Sequence, residues 1–349
     1  MNTKVVKVNR IQPNAAALVE AGDIIKSGGL VAFPTETVYG LGGDAFNKES
    51  SRKIYEAKGR PSDNPLIVHI ANITDIDKVA MDIPKVAYDL AARFWPGPLT
   101  MILKKRPELP KETTGGLDTV AIRMPGHEVA LDFITAAGGF VAAPSANRSG
   151  KPSPTSAEYV VEDMYGFADM IIDGGNCEVG LESTIVDLTC EKPLILRPGF
   201  ITIEEIGEVV GEVDFDKCII DSSSDEPPRA PGMKYRHYAP KAEMTLVSGP
   251  SDKVVKYIND KTNEGAREGI KTGVIATNET QYSYAAFSVK SLGPRRDGKQ
   301  VARNLFRILR EFDDEGVDVI YAESFEETGI FRATMNRMIK AAGHKEVNL

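Results

Sequence analysis

Short apolar runs, each too brief for a helix, recur along this chain, three of them stopped by Pro34, Pro144 or Arg197: Leu30 to Phe33, Leu66 to Ile70, Leu99 to Leu103, Phe140 to Ala143, Met170 to Ile172 and Leu194 to Leu196. Stretches with helical apolar spacing separate several of them, such as Leu18, Val19, Ile24 and Ile25 after a capping Asn14, and Ile54, Tyr55 and Ala57 between Asn47 and Gly59. Buried strands alternating with amphipathic helices specify an α/β fold, in which helices cover the sheet and ligands gather at strand ends. The strand ends are therefore where chemistry is expected.

The first such end is the most crowded. Pro34 stops a strand, and Thr35-Glu36-Thr37-Val38-Tyr39-Gly40-Leu41-Gly42-Gly43-Asp44 follows. It reads as a loop whose hydroxyls and carboxylate are offered to a ligand, and whose glycines permit positive φ and close approach of the backbone. Next, Lys58-Gly59-Arg60-Pro61-Ser62-Asp63-Asn64-Pro65 places two cations about a glycine at a helix end. One cation there would answer the helix carbonyls; two in a Pro-braced loop point to an anion. Arg123 closes the strand Thr119 to Met124, either as surface charge or as a two-pronged carboxylate clamp. His69, alone in an apolar strand, reads as a core histidine, and Trp95 before Pro96-Gly97-Pro98 as a core residue at a rigid turn. Pro144-Ser145-Ala146-Asn147-Arg148-Ser149-Gly150-Lys151-Pro152-Ser153-Pro154-Thr155 lies between a buried strand and a helix and reads as a ligand loop, to which Arg148 and Lys151 add charge. Arg197 ends one more strand.

Several classes are excluded by what is missing. A formal net charge of -8 argues against a general nucleic-acid binder, although it leaves room for a local basic pocket. No apolar run approaches a membrane helix and the start has no signal-peptide core, so a cytoplasmic location is expected. Cys177, Cys190 and Cys218 form no CxxC pair, and His69, His127, His237 and His344 are scattered, which disfavours a His/Cys zinc site. No GxxxxGK[ST] loop, GxSxG or HExxH occurs. Gly40-Leu41-Gly42-Gly43-Asp44-Ala45 is only a poor dinucleotide fingerprint, because six residues including Pro34 separate it from the strand. A nucleotide would have to be held by dispersed cations and hydroxyls.

Beyond about residue 210 the organisation changes. Residues 211–240 read as a linker, with Ser222-Ser223-Ser224-Asp225-Glu226-Pro227-Pro228 as a polar hinge. From Arg229 to Lys241 the chain carries Lys, Arg, Tyr and His but no acid, a local sign reversal that reads as a segment over an anion or as an interdomain strap. The remainder alternates strand and helix cleanly and predicts a small parallel sheet without a catalytic cluster.

Pro34-Thr35-Glu36-Thr37-Val38-Tyr39-Gly40-Leu41-Gly42, Lys58-Gly59-Arg60-Pro61, Pro144-Ser145-Ala146-Asn147 and Gly180-Leu181-Glu182-Ser183-Thr184 together resemble the L-threonylcarbamoyladenylate synthase family. The linker Pro231 to Pro240 and Met335-Asn336-Arg337 look like its longer, two-domain form. The resemblance implies an N-terminal YrdC-type domain over residues 1–210, a twisted mixed sheet with helices. A linker over 211–240 would cross the active site, and a smaller Rossmann-like parallel α/β domain would occupy 241–349. It implies synthesis of L-threonylcarbamoyl-AMP and pyrophosphate from L-threonine, bicarbonate or CO₂, and ATP with Mg²⁺. A separate transferase complex would consume the product in tRNA modification, with no membrane and no stable nucleic-acid binding by this chain. Lys58, Arg60, Ser145 and Asn147 would hold the triphosphate and Mg²⁺, the ion resting mainly on ATP phosphates. Thr35, His69, Arg123, Ala143 and Ser183 would take L-threonine, with Arg123 on its carboxylate. Ser62, Thr119, Ser153, Arg197, Tyr235 and His237 would surround the nucleotide. The last helix opens Gly329-Ile330-Phe331-Arg332, bulkier than the resemblance implies. Two rivals are an RNA-binding module on the same basic surface, disfavoured by the acidic charge, and a carbamoyl-phosphate enzyme of the hydrogenase-maturation type, which would bring acylphosphatase and zinc-finger modules.

Overall fold

The computed structural model describes residues 2–9, 14–216, 229–231 and 237–349. Two compact units emerge: one formed by residues 1–149, 153–178 and 182–234, the other by residues 150–152, 179–181 and 235–349.

The first unit runs β1 (Lys4–Lys7), α1 (Ala15–Lys26), β2 (Val31–Phe33), β3 (Gly40–Asp44), α2 (Lys48–Lys58), β4 (Ile67–Ile70), α3 (Ile76–Val79), β5 (Ala80–Met81), α4 (Lys85–Phe94), β6 (Leu99–Lys105), β7 (Thr119–Arg123), α5 (Glu128–Ala136), β8 (Phe140–Ala143), α6 (Ala157–Met164), β9 (Met170–Asp173), β10 (Thr184–Asp187), β11 (Leu194–Arg197), α7 (Ile203–Val210) and β12 (Asp214–Phe215). Its strands pair in the order β1-β9-β2-β3-β8-β4-β7-β6-β10-β11-β12, with β5 on β6. Parallel pairs (β4 with β7, β6 with β10, β2 with β9) mix with antiparallel ones (β3 with β8, β4 with β8, β6 with β7), so the sheet is mixed. The expected caps are in place. The Asn14 side chain accepts from Ala17 N at 3.3 Å, and that of Asn47 from Glu49 N at 3.0 Å, each closing an open helix start. Leu30, Ala32, Leu41, Val68, Met101 and Ile122 line the larger core beneath the helices.

Gly40 to Asp44 departs from the loop reading: it is a buried strand, antiparallel to β2 with Val31 opposite Gly42 and Phe33 opposite Gly40. None of its glycines has positive φ. They are small because space is short. A Cβ on Gly42 would lie 2.6 Å from Val141 Cγ1, and one on Gly40 3.0 Å from the Phe33 ring. Trp95 also differs from expectation, being only half-buried against the core while its indole N–H donates to Leu99 O at 2.7 Å; an indole needs a partner for that donor and finds it at the margin.

The second unit comprises β13 (Glu243–Ser248), α8 (Ser251–Arg267), β14 (Thr272–Ala276), β15 (Ser288–Ser291), α9 (Gly298–Glu315), β16 (Val319–Glu323), α10 (Gly329–Ala341) and β17 (Glu346–Asn348). All its pairs are parallel, in the order β15-β14-β16-β13-β17. Val247, Val254, Ile258, Val274 and Ala276 form a core against α8. The bulky start of α10 has a place, since the Phe331 ring stacks on Phe325 at 5.2 Å.

Candidate active site

Two polar clusters of the first unit share one region of the sheet. The first crosses adjacent strands in register: His69 on β4 stands beside Arg123 on β7, which stands beside Thr100 on β6. Each is two residues from an apolar neighbour on its own strand, Ile67, Ala121 and Ile102, so all six side chains lie on one face. There Ile67, Ala121 and Ile102 pack with Ile185, Leu196 and Ala230. Opposite Ile67 on β8 sits Ala143, one pleat repeat, about 7 Å, from the His69–Arg123 level.

His69 is buried, and desolvation, seconded by the Arg123 charge, pulls its pKa from the usual 6.5 down to about 3. The ring is therefore neutral, and its Nδ1 lies 3.1 Å from Ile67 O. Thr100 Oγ1 meets Ser183 Oγ at 2.7 Å. Arg197 donates from Nε to Ser183 O at 3.1 Å, from Nη2 to Ser183 Oγ at 3.1 Å and from Nη1 to Pro231 O at 3.3 Å. Arg197 thus fixes Ser183 and ties the 229–231 segment to the sheet.

Arg123, 4% exposed, is placed differently. Its Nη2 stands 2.7 Å from Glu36 Oε1, yet the two groups are not aligned as a hydrogen bond. Neither Glu36 oxygen, nor Arg123 Nε or Nη2, has a hydrogen-bond partner among the described residues. Nε and Nη2 form the edge through which a guanidinium grips a carboxylate.

The second cluster begins where β8 ends. Lys58 lies in the last turn of α2, which Gly59 terminates at φ +62. Its buried Nζ donates to Ser145 O at 2.6 Å and Asn147 O at 2.5 Å, while Ser145 Oγ donates to Asn147 Oδ1 at 2.6 Å. Arg60 donates from Nε to Asn64 O at 3.2 Å and from Nη2 to Asn64 Oδ1 at 2.5 Å and Pro65 O at 3.1 Å. Both cations of the Lys58-Gly59-Arg60 triplet are therefore sunk in the frame of their loops. Arg148, read as added anion-binding charge, donates instead to Ala57 O at the end of α2 and lies over the Phe167 ring at 4.9 Å. A helix C-terminus carries partial negative charge and attracts the cation first.

The loops do converge. Tyr39 N donates to Pro154 O at 3.0 Å, Leu41 N to Pro144 O at 2.9 Å and Ala146 N to Tyr39 O at 2.8 Å, stitching the 34–39 loop to the 144–155 loop. Thr35 is buried, but its hydroxyl serves its own loop, donating to Val38 O at 2.6 Å. Ser153 is buried and donates to Glu182 Oε1 at 2.6 Å. Ser62 is exposed on the turn after Arg60, and Thr119 is half-buried at the far end of β7, four residues or about 13 Å from Arg123. His237 belongs to the second unit, where its ring lies 5.5 Å from that of Tyr238; Tyr235 lies outside the described residues.

Thr100, Asn64 and Glu182 were not assigned from the sequence, and Glu36 was read there as a loop carboxylate offered to a ligand, without its partner. Its pairing with Arg123 joins residues 87 positions apart. The second unit also holds a polar group that its pattern did not announce. Buried Glu323 at the end of β16 accepts from Tyr284 at 2.7 Å and from Thr280, and pairs with Arg295. Burial pushes the Tyr284 phenol up to about 12. These groups satisfy one another.

Comparison with known proteins gives the family. Residues 23–199 match the Sua5/YciO/YrdC family, described as telomere recombination, and residues 201–343 match the threonylcarbamoyl-AMP synthase C-terminal domain. The threonylcarbamoyl-AMP synthase of Pyrococcus abyssi is 51% identical over 94% of this chain and 95% of its own. That of Bacillus subtilis is 46% identical over 97% of this chain and 96% of its own. The crystal structure of P. abyssi Sua5 complexed with L-threonine superposes with a TM-score of 0.94 at 49% identity, covering 99% of this chain and 100% of that one. The chain belongs to the threonylcarbamoyl-AMP synthase family of nucleotidyltransferase enzymes, and it carries both the Sua5/YrdC domain and that family's C-terminal domain.

Proposed function

We propose that this chain makes L-threonylcarbamoyl-AMP and pyrophosphate from L-threonine, bicarbonate or CO₂, and ATP, for transfer by a separate enzyme to tRNA in the cytoplasm. The observation that carries this reading is the buried Arg123 edge with two unbonded donors, on the sheet face next to the Ser145–Asn147 loop. Relatives named threonylcarbamoyl-AMP synthase, and a homologous structure complexed with L-threonine, support it.

In this reading Arg123 Nε and Nη2 take the threonine carboxylate through two parallel hydrogen bonds. Thr35, neutral His69, Ala143 and Ser183 shape the space around the rest of the amino acid. The deprotonated amine adds to CO₂ and gives a carbamate after loss of one proton. A carbamate oxygen then forms a bond to the α-phosphorus while the bond to the pyrophosphate oxygen breaks. No protein nucleophile is required, so the chain contributes position and charge. Lys58 fixes the Ser145–Asn147 loop and sets a positive charge beneath it; Arg60 does the same for 60–65. Ser62, Thr119, Ser153 and Arg197 would complete the first unit's share of the nucleotide's surroundings.

Ser145 Oγ and Asn147 Oδ1 are hard, neutral oxygens of the kind Mg²⁺ accepts beside phosphate oxygens, and among the described residues no cluster of three His, Cys, Asp or Glu offers a protein-only cage. Mg²⁺ when bound would offset charge on the phosphates. Pyrophosphate release by the purified chain with Mg-ATP tests the reading, with threonine or bicarbonate omitted in turn. Release that needs both is expected. Release with neither would overturn it.

A further inference from the structure

We propose that Glu36 receives the α-ammonium group of the amino-acid substrate, so that Arg123 and Glu36 bind the zwitterion together and the substrate takes the place of their ion pair. This rests on the reading that an α-amino acid occupies the Arg123 face.

Three observations lead there. Glu36 and Arg123 are both buried, with side chains 8% and 5% exposed, and they touch at 2.7 Å without hydrogen-bond alignment. Buried ions in a finished structural pair are normally hydrogen-bonded through their remaining lone pairs and protons, because unfilled sites on a desolvated charge are costly. Here two carboxylate oxygens and two guanidinium nitrogens, side by side, have no hydrogen-bond partner among the described residues.

The second observation is local. Thr35 and Thr37 turn their hydroxyls toward each other at 2.8 Å, and Thr35 closes on Val38 O, so both serve the loop. Glu36, between them, takes no part in that closure and meets Arg123 instead. The third is charge. An α-amino acid carries one anion and one cation on a single carbon and is neutral overall. Its carboxylate fills the Nε–Nη2 edge of Arg123, and its ammonium donates to the Glu36 carboxylate. The net charge of the buried site is unchanged, and the unfilled hydrogen-bond positions become filled. Glu36 thereby selects a free α-amino group over a substrate that lacks one.

Calorimetric titration of the full chain, without ATP, tests this with L-threonine and with 3-hydroxybutanoate, the same skeleton with hydrogen in place of the amine. The wild type is expected to prefer threonine. Glu36→Gln is expected to weaken threonine on the order of 10- to 100-fold, the loss of one charge-assisted contact, and not to weaken 3-hydroxybutanoate, which in the wild type must displace the buried Glu36 carboxylate from Arg123 without supplying it a cation. Retained binding of that analogue shows that the variant is folded. Glu36→Asp, which keeps the charge, is expected to keep part of the preference, and it carries the test should the glutamine variant not fold. Equal weakening of both ligands in Glu36→Gln would reduce Glu36 to a prop for Arg123 and overturn the proposal, as would unchanged threonine binding. A wild type that ignores threonine would overturn the functional reading itself, an outcome distinct from either.

Discussion

Arg60 is framework in the structure and, in the proposed function, a phosphate ligand as well. Its guanidinium braces the 60–65 loop through Asn64 and Pro65. Arg60→Ala is therefore expected to lower adenylate synthesis on the order of 10²-fold or more and also to cost about 1–3 kcal/mol, since it strands buried acceptors. Steady-state pyrophosphate release and urea denaturation read the two losses separately; full activity in the variant would remove Arg60 from the site. His69 makes a pH prediction. Its folded pKa is near 3, against an ordinary 6.5, so between those values the unfolded chain binds a proton that the folded chain refuses. Stability should then fall as the pH drops below about 6.5, with a slope approaching ~1.4 kcal/mol per pH unit, and this contribution is absent at higher pH. His69→Gln removes that part of the slope. Denaturation of both proteins between pH 4 and 7 would show it, and parallel curves would contradict the burial argument.

The elements around the site are held together by close approach. β3 packs so near β8 that Gly42 has no room for a methyl group beside Val141. Gly42→Ala should destabilise the fold by about 1–3 kcal/mol through overpacking. Adding Val141→Ala should restore part of that loss, because the two residues share one space. Additive effects in the double variant would mean that the glycine is needed for another reason. The sequence made the glycines conspicuous but could not give that reason, since a run rich in glycine reads as a loop until its partner strand is known. The helix ends were far more legible. Asn14, Asn47 and Gly59 act through backbone groups within a few residues, and all three mark helix ends in the structure.

At the scale of the whole chain, two units carry separate parallel or mixed sheets, and the polar clusters assigned to threonine and phosphates fall in the first. A net charge of -8 argues against general binding of polyanions. Adenylate synthesis is accordingly expected to be indifferent to added tRNA. Pyrophosphate release measured with and without total tRNA at physiological salt checks this, and a tenfold stimulation would bring RNA into the reaction.

Local signals in the sequence determined the strand runs, the capped helices, the loops at strand ends, and four motifs that identify the family. They did so because caps, turns and apolar periodicity act over a few residues. Only the tertiary structure decided which charges are free to meet a ligand. Arg148 goes to the end of a helix, Arg197 goes to Ser183, and Lys58 goes to two loop carbonyls. Arg123 meets Glu36, and its Nε and Nη2 have no hydrogen bond among the described residues. That difference depends on register between distant strands and on burial, neither of which any short stretch of the chain contains.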